Sequence, residues 1–205
     1  LDTADGEAKR TIDLTVLDNA KAVFLPFPVI PFAHSVFSNV TNAHIGAQSS
    51  FMYADVVTCG RVGMGERWKM RRFSSSTRVY VDETSEEGGP RSRPRGDGEE
   101  SAPRLVFADR LLLEPDRFTY TDTAMWREFT HCGMAYLHVP RRESRRTQMT
   151  AEDELVERIR ALAHDRGPRG EIGVSRQNEG IAVRLLTDRG DDAFGFLAEV
   201  AQLLR

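Results

Sequence analysis

The chain has 205 residues, 40% of them hydrophobic and 29% charged, with a formal net charge of −3. That is enough for one substantial core and ordinary for a soluble globular protein, and the acidic total excludes a general case for nucleic acid or an anionic membrane. No apolar run approaches the ~20 residues that span a bilayer, and no basic-then-apolar leader opens the chain. With only Cys59 and Cys132, no disulfide framework is expected, and a reducing cytoplasm is the compartment that fits.

The first two thirds read as β. Thr11 to Leu17 alternates apolar and polar residues, as a half-buried strand does, and Asp18-Asn19 supplies a turn. Lys21 to Leu25 is a second short strand. Pro26, Pro28 and Pro31 then hold an extended path; the large apolar residues Phe27, Val29, Ile30 and Phe32 are expected to be buried. Val36 to Ile45 alternates again, Gly46 to Ser50 turns, and Phe51 to Thr58 is a more continuously apolar strand. Cys59 to Glu66 holds three glycines, Arg61 and Glu66 within eight residues and reads as a turn, because glycine suits tight backbone. Lys69 to Val81 is strand-like. Residues 82–103 carry no large apolar side chain, and read as a flexible insertion between two strands that pair across it. Arg104 to Leu113 resumes the pattern with Leu105, Phe107, Leu111 and Leu113 on one face, and Ala135 to Val139 is a last strand of this body.

The final third changes character. Thr150-Ala-Glu-Asp153 resembles a capping box, and Leu155, Val156, Ile159, Leu162 and Ala163 follow at helical spacing up to Gly167-Pro168. Glu171 to Ser175 and Ile181 to Leu186 read as strands joined by the hairpin connection Gln177 to Gly180. A terminal helix is expected from about Asp191 to Leu204, with Phe194, Leu197, Val200, Ala201 and Leu204 inward. The fold class expected is mostly β, a β-rich body with two C-terminal helices, in a single domain over 1–205.

Three chemistries compete for the polar residues. A cysteine-dependent hydrolase needs a thiol, a base and an orienting group within reach; Cys59 with His131 is the pair that geometry permits, since neighbours such as His131 and Cys132 point to opposite faces of a strand. Simple burial is the commoner state of free cysteine. Metal ligation has His34, His44, Asp55, Cys59, Glu66, His131, Cys132 and His138 as candidates, without the spacing of a structural zinc site. Gly60-Arg-Val-Gly-Met-Gly65 has glycines but lacks the ending of a phosphate-binding loop and the spacing of the dinucleotide fingerprint. The basic run Arg141 to Arg146 has no interleaved aromatics and reads as a solvated linker or partner-facing loop. A generic β-rich protein-binding module is the plainest alternative.

Taken together, the motifs resemble one family. Leu25-Pro-Phe-Pro-Val-Ile-Pro-Phe32, with Pro26 and Pro28, is similar to its Leu-Pro-x-Pro segment, followed by the small polar strand Ser35 to Ile45. Asp55-Val-Val-Thr-Cys-Gly-Arg-Val-Gly-Met-Gly-Glu66, with Gly60, Arg61, Gly65 and Glu66, resembles its acidic-x4-Gly-Arg-x4-Glu segment. Phe129-Thr-His-Cys-Gly133 is similar to a Thr-His strand, and Glu171 to Arg176 with the hairpin and closing helix to its C-terminal end. The family is the urease accessory protein UreD, also called UreH. Asp55 stands where the family usually has glutamate, and the family has further strands before the point where this chain starts. The resemblance implies a β-helix-like body and a non-enzymatic assembly factor. Its implied partners are apo-urease, a second accessory protein of the UreF type and a GTPase of the UreG type. No cofactor is expected to be held tightly. Nickel is expected to pass transiently, with Asp55, Glu66 and His131 as the implied metal residues along an internal passage.

Overall fold

A computed structural model describes residues 6–82 and 103–204. The expected insertion at 82–103 therefore lies outside the described residues except for its two end positions. Strands β1 (Ala8–Val16), β2 (Lys21–Phe24), β3 (Val36–Gly46), β4 (Ser50–Thr58) and β5 (Arg72–Asp82) alternate between two sheets. β3 runs parallel to both β1 and β5 in the first sheet, and β4 runs parallel to β2 in the second. Each pass of the chain thus adds one strand to each sheet, the winding of a β-helix. The corners stack too: Asn19 N–H donates to Gln48 O at 3.3 Å, Ser50 N–H to Ala20 O at 2.9 Å, and Gln48 N–H to the Asp18 carboxylate at 2.6 Å.

The winding then stops. β6 (Arg104–Leu113) pairs antiparallel with β5, as the expectation of two strands pairing across 82–103 requires. β7 (His131–His138), β9 (Ile181–Thr187) and β8 (Gly170–Arg176) extend the second sheet antiparallel, in the order β2-β4-β7-β9-β8. Helices α1 (Arg145–Arg166) and α2 (Gly190–Gln202) cover the outer face of that sheet. β4 is buried on both faces, between the first sheet and the helices, which is why its sequence is apolar on both faces apart from Asp55 and its ends. Met52, Ala54 and Val56 meet Ile159, Phe196, Leu197 and Val200 on the helix side. Between the sheets, Phe51, Tyr53, Ile45, Val79, Phe107 and Tyr136 form one apolar cluster, and Val57, Phe73, Leu113, Tyr120 and Trp126 form another. No helix among the described residues is long and apolar enough to cross a membrane.

Several local expectations are corrected. α1 starts at Arg145, not near Thr150: Ser144 accepts from Thr147 N–H at 3.2 Å and the Thr147 hydroxyl reciprocates, a cap built on threonine rather than glutamate. Thr150 instead donates back to Arg146 O at 3.0 Å, inside the helix. In α2 the buried phenylalanine is Phe196, with Ala193, Leu197 and Val200, while Phe194 is only partly covered. In β6, Val79 pairs with Phe107 but Tyr80 pairs with Leu105, so Val106 is an extra residue. This bulge turns Leu105 outward, 49% exposed, and leaves Val106 packed against the core. In the proline segment, Val29 bridges to Val57 and extends the second sheet. That extended path leaves Phe27 and Ile30 exposed rather than buried, and Phe27 stacks on Phe194 at 5.7 Å.

Candidate functional site

Between the two apolar clusters of the sandwich lies one polar layer. Along each strand it occupies the inward position between apolar neighbours: Asn39 and Thr41 on β3, Asp55 on β4, Ser75 and Thr77 on β5, Asp109 on β6, Arg184 on β9. The register aligns them. Arg10 pairs with Asn39 and Asn39 with Ser75; Thr77 pairs with Asp109; Asp55 pairs with Met134, and Met134 with Arg184. Asn39 and Thr77 are fully enclosed, whereas the Arg10 side chain is 32% and that of Arg184 55% exposed. The layer therefore crosses the sandwich and reaches solvent on two sides.

Asp55 sits at its centre. One carboxylate oxygen, Oδ2, has only long contacts: Asn39 Nδ2 at 3.4 Å, Tyr53 Oη at 3.5 Å and Arg10 Nη2 at 3.8 Å. The other, Oδ1, has no hydrogen-bond partner, and neither does Arg10 Nη2. Burial outweighs the Arg10 guanidinium and the hydrogen bonds, and pushes the Asp55 carboxyl up to about 6. A small cavity of about 30 Å³ adjoins it, walled by the polar groups of Asp55, Ser75, Asp109 and Arg184 and otherwise by Cys132, Met134 and the apolar Val57, Phe73 and Leu111. Arg184 and Asp109 form an ion pair across this wall. A desolvated carboxylate with one unpartnered oxygen takes up a proton more readily than a solvated one.

The other sequence-expected residues lie elsewhere. Arg61 and Glu66 close the glycine turn after β4, with Arg61 Nε–Glu66 Oε2 at 2.8 Å and Arg61 Nη2–Glu66 Oε1 at 2.5 Å. Glu66 also accepts from Ala33 N–H at 3.3 Å, and the guanidinium lies 4.4 Å over the Phe32 ring. The pair thus clamps the proline segment to the turn. Gly60 has φ +131° and Gly65 φ +70°, values that explain two of the three glycines. Pro26 and Pro28 belong to the segment that the clamp holds, outside the sandwich interior. His131 pairs with Thr58 on β7, on the helix-covered face of the second sheet, where Gly190 lies against its ring. Asp55 points to the opposite face. Burial lowers the proton affinity of the His131 ring, and Nδ1 lies 2.8 Å from the Thr130 hydroxyl. Asp55, Glu66 and His131 are therefore not brought together, and among the described residues no three His, Cys, Asp or Glu side chains converge as a ligand set.

The thiols do not supply a hydrolase constellation. Cys59 and Cys132 face the sandwich interior with Val57 and Phe73, away from His131. Burial raises both, Cys132 to about 12, so neither is held as thiolate. The residues missed in the sequence are Arg10, Asn39, Asp109 and Arg184. The available signal was polar residues at inward positions of strands that are otherwise apolar on that face.

Residues 2–205 match the family model described as UreD urease accessory protein. The chain is 24% identical over 201 residues to the urease accessory protein UreH of Helicobacter hepaticus, covering 98% of this chain and 66% of that protein. It is 25% identical over 202 residues to UreD of Haemophilus influenzae strain PittEE, covering 97% and 66%. UreD of Actinobacillus pleuropneumoniae serotype 3 is 27% identical over 189 residues, with 91% and 60% covered. The chain thus spans about two thirds of the length of the curated relatives it matches. With a family model matching it nearly from end to end, and a β-helical body closed by two helices, the chain belongs to the UreD family of urease accessory proteins.

Proposed function

We propose that this chain acts in urease maturation as a non-catalytic scaffold. It binds apo-urease together with accessory proteins of the UreF and UreG types and helps deliver nickel to the urease active site. Family membership supports the general role. The observation that carries the finer reading is the polar layer through the sandwich, with Asp55 at its centre presenting an unpartnered oxygen. A buried carboxylate with loose partners is a station at which a divalent cation can pause without being trapped, because a carboxylate oxygen is a weak, exchangeable ligand for nickel. Asp109 extends the acidic lining towards solvent, and its pair with Arg184 offers a gate of opposite charge. Glu66, clamped to Arg61, and His131, on the other face of the sheet, serve the frame rather than the passage.

The test uses the complete protein with its partners. Asp55→Asn is expected to slow nickel-dependent activation of apo-urease while co-purification with urease and the accessory proteins is retained. Glu66→Gln is expected to leave activation close to normal. Unchanged activation in the Asp55 variant would remove the passage role and leave the scaffold role standing.

A further inference from the structure

A second pocket lies apart from the polar layer, where the end of β7, the basic run, the start of α1 and the β8–β9 turn meet. Its volume is about 480 Å³, within the range of small-molecule sites. His138, Arg141, Arg142, Glu143, Arg145 and Glu179 bring the ionisable groups to its wall. Glu179 is already engaged, by Arg104 at 2.6 Å and Arg141 at 3.7 Å. Arg142 and Arg145 form no ion pair among the described residues, and Glu143 is the remaining acidic group at the rim.

Two further features lie at its wall. Ser144 caps the Thr147 amide, which leaves the Arg145 and Arg146 amides at the positive end of a 22-residue helix with no intrahelical acceptor. His138 is the independent observation. It is only 3% exposed, its Nε2 lies 3.4 Å from Ala47 O, and its Nδ1 has no hydrogen-bond partner. An orphaned ring nitrogen in the wall of a basic pocket marks an unfilled hydrogen-bonding position.

We propose that this pocket binds the phosphate group of a small phosphorylated molecule. Arg142 and Arg145 grip its oxygens from the rim, the helix amides face its charge, and His138 closes the inner side. With Nε2–H donated to Ala47 O, a proton on Nδ1 is donated to the phosphate. Burial together with Arg141 and Arg104 disfavours that proton in the empty pocket, Glu179 favours it, and a bound dianion adds to the favourable side. Binding is therefore accompanied by proton uptake. The pocket is larger than one phosphate group, which leaves room for an organic body.

Calorimetric titration of the complete protein with ribose 5-phosphate, inorganic phosphate and ribose, at physiological ionic strength, tests this. Saturable binding is expected for ribose 5-phosphate, weaker binding for inorganic phosphate and none for ribose. Arg142→Ala and Arg145→Ala, both at exposed positions, should each weaken ribose 5-phosphate by about tenfold. The His138 ring protons should shift in the nuclear magnetic resonance spectrum on binding. The proposal is overturned by the absence of saturation up to about 10 mM, by wild-type affinity in both arginine variants, or by tighter binding of an acidic peptide than of ribose 5-phosphate. This readout does not involve urease, so it stands or falls separately from the passage role of Asp55.

Discussion

Asp55→Asn should stabilise the protein, and by an amount that depends on pH. The Asp55 carboxyl titrates at about 6 in the folded state, against about 3.9 in an unfolded chain. Two units correspond to roughly 3 kcal/mol. Because the folded value is the raised one, the native state holds more protons than the unfolded state between about pH 4 and 6, and stability falls as pH rises through that window. Above it the full penalty of the buried charge is present. Asparagine keeps the shape and carries no charge at any pH. It also leaves Arg10 without its carboxylate at 3.8 Å, which offsets part of the gain, so the variant should be more stable by about 1–3 kcal/mol near neutrality. For a chain of this size that is about 2–12 °C in Tm. Urea denaturation of both proteins over a series of pH values gives the difference directly, and background titrations common to the two cancel. The advantage of the variant should shrink steadily on acidification towards pH 4. A difference that stays constant, or grows as pH falls, would refute the account of a desolvated, weakly partnered carboxylate.

Two substitutions probe the frame. Phe196→Ala empties a core position 4% exposed and should cost about 3–5 kcal/mol, whereas Phe194→Ala, which loses mainly a ring stacked on exposed Phe27, should cost well under half as much; comparable losses by urea denaturation would mean that α2 is rotated from the packing described. Gly60→Ala places a methyl group against the Glu66 carbonyl at φ +131°, and should cost more than about 2 kcal/mol with loss of the Arg61–Glu66 closure. Thermal unfolding checks the former, and a wild-type Tm would show that the turn can relax at no cost.

The β-rich body and both helices were legible because the apolar spacing is strong: β4 is apolar on both faces apart from Asp55 and its ends, and Leu155, Val156 and Ile159 do line the buried face of α1. What the spacing could not reveal was pairing. Alternation says that β1, β3 and β5 each have an inner face, but not that they lie parallel in one sheet while β2 and β4 build the other. Boundaries failed where an atypical residue performs a familiar task, as Thr147 does in the cap of α1. Asp55 stood out beside the glycine turn, yet the turn and the carboxylate prove to be separate matters. The turn is a clamp outside the sandwich, and Asp55 belongs to a layer whose other members come from β1, β3, β5, β6 and β9. Those members are scattered over the chain, and only strand register assembles them.

The extra residue at Val106 bears on a different hazard. Among the described residues β6 is an edge of its sheet, with β5 on one side only and with Leu105 and Leu112 facing outward. A long, regular edge of that kind is a template on which a second copy can add its own strand. The bulge breaks the even spacing of amides and carbonyls along this edge and increases its local twist, and Arg110 lies exposed along it. The irregularity that turns Leu105 away from the core thereby also makes this edge a poorer template for a second copy.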